Sequence, residues 1–266
     1  MEYAECDGLR VAYERAGTGP PVVFLHGYVG DGVSTWRRQI DGLADEFTVV
    51  AWDAPGAGLS SDPPESFGMT GYADCLRRFI AQLGLDRPHL VGLSFGGALA
   101  IEFAGRHPAI PKSLVLASAY AGWAGSLQPD AVEQRLRQAI ELSDLSSDDF
   151  VRALLPTMFS VSPPHDAVEE FGASLRRFHP DGFRALARAC AEDVRPALRR
   201  ITAPTLLVYG DSDVRAPLGV AESIKASITN STLVVLPGLG HCCNMEGPEA
   251  FNDVVRTFLQ AHTNAP

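Results

Sequence analysis

Unbroken apolar runs alternate along the chain with amphipathic stretches. Pro21-Val22-Val23-Phe24-Leu25 is one such run, the pattern of a strand buried on both faces of a parallel sheet. Further strands follow at Phe47–Asp53, Pro88–Val91, Ser113–Tyr120 and Pro204–Gly210, and a last one at Ser231–Leu236. Residues 9–15 form an earlier strand. The turn Gly17-Thr18-Gly19-Pro20-Pro21 after them predicts a hairpin-like pairing with the strand at 21–26. Trp36, Ile40 and Leu43 recur at helical spacing, as do Tyr72, Leu76, Phe79, Ile80 and Leu83 within 70–83. Further helices are predicted after Gly97, over 218–227 and over 248–260. Strands alternating with helices predict an α/β fold, a parallel sheet with helices on both faces.

One region breaks the alternation. From 122 to 196 the pattern is helical, with segments at 132–142, 148–155, 167–178 and 181–193 punctuated by prolines at 129, 156, 163, 164, 180 and 196. A helical block between two strands of one sheet reads as an inserted cap. The expected organisation is a core of 1–121 plus 197–266, with a helical cap at 122–196.

Composition narrows the partners. With 46% apolar and 20% charged residues over 266 positions, the chain has enough apolar mass for one full core. A formal net charge of −10 argues against nucleic acid or an anionic membrane as partner. No apolar run is long enough to span a bilayer. The acidic start Met1–Asp7 lacks the basic and apolar segments of a secretory signal, so a cytoplasmic location is expected. The five cysteines (Cys6, Cys75, Cys190, Cys242, Cys243) lack a C-x-x-C spacing and read as reduced thiols. No metal-ligand spacing and no strand-anchored G-x-G-x-x-G is present, so neither a metal nor a cofactor is expected. A monomer and a homodimer are both compatible with this composition.

The candidate chemistry centres on Gly92-Leu93-Ser94-Phe95-Gly96-Gly97, which joins a predicted strand to a predicted helix. A nucleophile on so sharp a turn takes a strained backbone, and glycines two positions either side remove the collisions. A serine nucleophile needs a base, and the base needs an orienting carboxylate. Of seven histidines, His241 lies in a glycine-rich loop just after the last predicted strand, at the end where sites assemble in an open α/β sheet. The carboxylate is assigned to Asp213 in Gly210-Asp211-Ser212-Asp213, with Asp211 in reserve. The oxyanion hole is assigned to the backbone N–H groups of Phe95, after the nucleophile, and Tyr28, in the loop His26-Gly27-Tyr28. His26 is expected to hold that loop in shape rather than act as a second base.

These motifs in this order resemble the α/β-hydrolase superfamily: His26-Gly27, Asp53-Ala54-Pro55-Gly56-Ala57-Gly58-Leu59-Ser60, Gly92-Leu93-Ser94-Phe95-Gly96-Gly97, Asp213 and Gly240-His241. The likeness covers nearly the whole chain and is nearest to bacterial capped carboxylesterases and lactonases, including enol-lactone hydrolases. Ala57 departs from the bulkier residue, such as His, that many members carry there. The resemblance implies a Ser94-His241-Asp213 triad and two-step acyl transfer on a small, mostly apolar ester or lactone. Trp36, Trp123, Met158, Phe159 and Phe178 are candidates for the pocket wall, and plain core packing accounts equally well for each. The same triad also serves carbon–carbon bond hydrolysis and cofactor-free perhydrolysis, and a slow-turnover small-molecule receptor can retain it.

Overall fold

The apolar runs form six neighbouring strands of an eight-stranded sheet, the run at Ser231–Leu236 lying at its edge with only Leu236 buried, in a computed structural model that describes residues 1–263. The last three residues, counted above with the core, lie outside the described residues. The elements in the first half are β1 (Glu2–Cys6), β2 (Leu9–Ala16), β3 (Pro21–Leu25), α1 (Gly32–Leu43), β4 (Thr48–Trp52), α2 (Gly68–Gln82), β5 (His89–Leu93), α3 (Phe95–Arg106) and β6 (Leu114–Ala117). Then come α4 (Pro129–Ser143), α5 (Ser147–Leu154), α6 (His165–Leu175), α7 (Pro180–Cys190) and α8 (Arg195–Leu198). The chain closes with β7 (Thr205–Gly210), α9 (Leu218–Ser227), β8 (Ser231–Leu236), α10 (Cys243–Glu246) and α11 (Pro248–Thr263).

The strand order is β1-β2-β4-β3-β5-β6-β7-β8. Strands β4, β3, β5, β6, β7 and β8 run parallel, while β1 and β2 pair antiparallel at one edge. Every residue of β4, β5, β6 and β7 is buried, as continuous apolar runs demand when helices cover both faces. The chain has an α/β-hydrolase fold.

The expected pairing of residues 9–15 with 21–26 is corrected by this order. β2 and β3 are consecutive in the chain, yet β4 lies between them, antiparallel to β2 and parallel to β3. The glycine turn after β2 is therefore a crossing, not a hairpin. Gly17 has φ +73°, and a Cβ there would stand 2.3 Å from the carbonyl oxygens of Ala44 and Phe47, so the turn packs onto the α1–β4 connection. Strand β1 has no counterpart among the sequence-based expectations. Only Ala4 and Cys6 in it are buried, which leaves too little alternation to read.

The five helices α4 to α8 stand between β6 and β7. Their apolar stripes bury Phe150, Leu154, Phe171, Leu175, Phe183 and Leu186. Ion pairs tie their outer surface to the rest of the molecule: Arg38 to Asp166 and Glu170 at 2.7 and 2.6 Å, and Arg177 to Asp31 at 3.0 Å. Asp31 also N-caps α1, accepting from the Ser34 N–H at 2.7 Å. These pairs seat the block against α1 and the loop that follows β3.

Candidate active site

Strand β5 runs straight into Ser94, which takes φ +54° and ψ −109° before α3 begins. A left-handed backbone at a non-glycine residue costs about 1–3 kcal/mol and persists only where its surroundings enforce it. Here they do. Ser94 N–H donates to Ala117 O at 2.9 Å, and Ser94 O accepts from Ala98 N–H at 3.0 Å. A Cβ at Gly92 would lie 2.3 Å from Gly96 C, and one at Gly96 would lie 2.1 Å from Leu25 O. The two glycines are what let strand, turn and helix approach this closely.

His241 sits in the loop between β8 and α10. Its Nδ1 lies 2.9 and 3.1 Å from the two carboxylate oxygens of Asp213, and both residues are buried. That bond occupies Nδ1 and leaves Nε2 for chemistry. Burial pushes the Asp213 carboxyl up, but the imidazole charge and hydrogen bond, with the Ala216 N–H, outweigh it and hold it below its ordinary range. Oδ1 of Asp213 also accepts from Arg215 N–H and Ala216 N–H, each at 2.9 Å. Asp211, the reserve carboxylate, points elsewhere: it is exposed and accepts from Gly238 N–H at 2.7 Å.

Ser94 and His241 line one small cavity, together with Gly27, Tyr28, Met158, Phe171 and Cys242. No hydrogen bond joins the two side chains among the described residues. The N–H groups of Tyr28 and Phe95 donate to no loop or turn carbonyl among those residues, so both are free to serve an oxyanion. His26 is fully used. Its Nδ1–H donates to Gly27 O at 2.6 Å and its Nε2 accepts from Ala54 N–H at 2.9 Å. Burial pulls its pKa down to about 4, so a neutral ring clamps the Tyr28 loop to the turn after β4. Beneath that turn, burial pushes Asp53 up to about 6, although Leu59 and Gly32 N–H groups donate to its carboxyl oxygens at 2.9 Å.

Glu246 belongs to no motif in the sequence. Its buried carboxylate accepts from Gly240 N–H at 2.8 Å and from Ser160 N–H at 3.0 Å, which locks the His241 loop to the helical block. Cys242 N–H adds a bond to Met158 O at 2.9 Å. The Cys242 and Cys243 thiols are fully buried, and burial pushes the first well above its ordinary value and the second to about 12. Neither supplies a thiolate near neutral pH. Among the described residues no group of three His, Cys, Asp or Glu side chains is arranged to hold a metal.

The candidate wall residues separate. Met158 lines the inner cavity, and Trp123 lines a larger outer cavity of about 630 Å³. Tyr28 borders both. Phe178 stacks on Phe150 at 3.8 Å and borders a narrow cleft beside Tyr28. Phe159 packs edge-on against Phe171, itself a wall of the inner cavity. Trp36 is corrected to a core role: it is fully buried in α1 between Phe24 and Phe251, with centroids at 5.0 and 6.1 Å. Helical spacing turned it toward the sheet, away from the site.

The family model described as the alpha/beta hydrolase family matches residues 22–254, from β3 into α11. The chain belongs to that family. This hydrolase is 29% identical over 258 residues to the putative carbamate hydrolase RutD of Cronobacter turicensis, with 93% of this chain and 94% of the relative covered. It is 27% identical to 3-oxoadipate enol-lactonase 2 of Acinetobacter baylyi, over 90% of this chain and 89% of the relative. Among solved structures it resembles a thermophilic esterase from Thermogutta terrifontis, with a TM-score of 0.91, 29% identity, and 99% and 100% of the two chains covered. Among the hydrolase's described residues, no helix is long and apolar enough to cross a membrane.

Proposed function

We propose that this hydrolase cleaves a carboxylic ester or lactone through an acyl-enzyme on Ser94, with His241 as base and Asp213 as its orienting carboxylate. The observation that carries the reading is the buried Asp213–His241 pair at 2.9 Å, whose imidazole shares a cavity wall with a serine held at φ +54°. Similarity to an esterase and an enol-lactonase over most of the chain supports the choice of substrate class.

Ser94 Oγ attacks the carbonyl carbon while its proton passes to His241 Nε2. Asp213 holds Nδ1–H and stabilises the imidazolium. The N–H groups of Tyr28 and Phe95 receive the developing oxyanion, and one such donor is typically worth about 2.7–4 kcal/mol. The carbon–oxygen bond then breaks, and Nε2 returns the proton to the leaving alkoxide. Water, deprotonated by the same nitrogen, attacks the acyl carbon and frees Ser94 with the acid product. The helices at 122–196 act as the cap that covers the acyl pocket and excludes water during these steps.

A panel of p-nitrophenyl esters and lactones, run with wild type and Ser94→Ala, tests the reading. Turnover that vanishes in the variant is expected. Full esterase activity in Ser94→Ala, or tight ligand binding with almost no turnover in wild type, overturns it.

A further inference from the structure

The helical block holds its arginines in a consistent way, with one exception. Arg137, Arg152, Arg176, Arg177, Arg184, Arg188 and Arg195 each have a carboxylate within ion-pairing distance. Arg135, on α4, has none among the described residues. Nor does Arg215, two positions after Asp213. Both line the same outer cavity of about 630 Å³.

Their hydrogen bonds go to hydroxyl and carbonyl oxygens. Arg215 donates to Tyr28 Oη at 2.9 Å and to Thr157 Oγ1 at 2.8 Å. Arg135 donates to Tyr120 Oη at 2.8 Å and to Arg215 O at 3.0 Å. Burial, partly offset by the two arginines, lifts the Tyr120 hydroxyl to about 12, so it keeps its proton and offers no counter-charge. Each guanidinium keeps the rest of its donor set unbound. Glu141 also borders the cavity, but it is exposed and beyond ion-pairing distance of either arginine. The Asp213 carboxylate is nearby and engaged with His241. Each guanidinium lies over a tyrosine ring, Arg135 over Tyr120 and Arg215 over Tyr28, both at 5.6 Å, which offsets part of its desolvation and leaves its in-plane N–H donors open to an anion in the cavity. Stapling Tyr28 to Thr157 calls only for a donor, not for two positive charges.

We infer that the outer cavity is a carboxylate-binding subsite, in which Arg135 and Arg215 take an acidic group of the substrate while its ester or lactone carbonyl lies at Ser94. The subsite rests on the proposed esterase or lactonase reading for its purpose, though not for its existence. Tyr28 borders both cavities, so a molecule reaching from the arginines to Ser94 passes its ring. Trp123 stands edge-on to that ring at 5.7 Å and supplies an apolar wall for the carbon chain between the two groups. The planar, forked guanidinium suits a carboxylate better than a single ammonium would.

The test compares release of p-nitrophenol from p-nitrophenyl hydrogen adipate and from its methyl ester, in which a neutral ester one methyl larger replaces the terminal carboxylate. Wild type is expected to favour the acid by about 10- to 100-fold in kcat/KM, the range for one charge-assisted hydrogen bond. In Arg135→Gln and Arg135→Met that ratio collapses toward unity, and in Arg135→Lys part of it returns. Arg135 is the cleaner probe because Arg215 also braces the Tyr28 loop. Equal rates on the two esters in wild type overturn the inference with no variant needed. So does a ratio that survives in a folded Arg135→Gln or Arg135→Met. Calorimetric titration of glutarate into Ser94→Ala separates this subsite from the catalytic reading. Binding lost in Arg135→Gln upholds the subsite even if no ester is hydrolysed, and absence of binding to Ser94→Ala overturns it. Inorganic phosphate competing as well as glutarate at equal ionic strength overturns the carboxylate assignment.

Discussion

The loops at the carboxyl ends of the strands and the helical block above them hold polar groups in opposite ways. In and beside the loops, His26, Asp53, Asp213 and Glu246 (the last in α10) are all buried, and each is bound to backbone N–H or C=O groups of its own or a neighbouring loop. In the block, Arg137 and Arg152 are 63% and 70% exposed and pair with carboxylates within their own helices. The first kind of position is dictated by main-chain geometry and admits few alternatives. The second belongs to long side chains on a solvated face. Attack on a carbonyl needs the first kind, because reacting atoms must be held closely. Selecting among substrates needs only a wall whose residues can vary, and in the proposed function α4 to α7 are that wall.

The sharpest contrast is expected from Ser94→Ala, which loses about a million-fold in kcat on any ester that wild type turns over. Burst-phase kinetics that persist in the variant would place the nucleophile elsewhere. Asp213→Asn comes next, with a fall of about ten-thousand-fold in kcat and little change in KM, since a wrongly paired imidazole spoils chemistry rather than binding. Asp211→Asn, by contrast, is expected to leave kcat near wild type.

The buried loop groups also make a pH prediction. His26 has its pKa depressed from 6.5 to about 4, so its contribution to stability is complete above pH 6.5 and is lost as pH falls through 4. Asp53 has its pKa raised from 3.8 to about 6, so its contribution is complete below 3.8 and is lost as pH rises through 6. The two oppose one another between pH 6.5 and 4. Asp53→Asn removes the compensation, and its unfolding free energy is expected to fall more steeply with acid than wild type, by up to about 3 kcal/mol. Parallel denaturant curves for the two proteins across that range would contradict it.

The smallest effect belongs to the block's surface. Arg177 is 62% exposed in its pair with Asp31, and Asp31 keeps its Ser34 and Ser174 donors without it. Arg177→Ala should therefore cost no more than about 1 kcal/mol in a chemical melt. A larger loss would mean that the block depends on its ion pairs for its seat, and the contrast between the two regions would weaken.

Much of the fold was legible because the responsible rules are local. A run such as Val22-Val23-Phe24-Leu25 can only sit where both faces are covered, and Gly92 and Gly96 can only flank a turn that a side chain would block. Strand 231–236 is legible from its β-branched run alone, although it lies at the sheet edge with only Leu236 buried. The sharp turn at Ser94 also follows from position between a strand and a helix, and of the two aspartates in the loop after β7 it is Asp213 that lies beside His241.

By itself the sequence determined which segments are strands, which are amphipathic helices, and where the strained turn falls, since hydrophobic period and glycine placement are properties of neighbours in the chain. Only the tertiary structure decided that β4 divides β2 from β3, that Trp36 faces the sheet, and that Glu246 ties the His241 loop to Ser160. It alone set Arg135 and Arg215 beside one cavity without a carboxylate for either. Periodicity reports that a residue is buried or exposed; what it faces depends on contacts with residues far away in the chain.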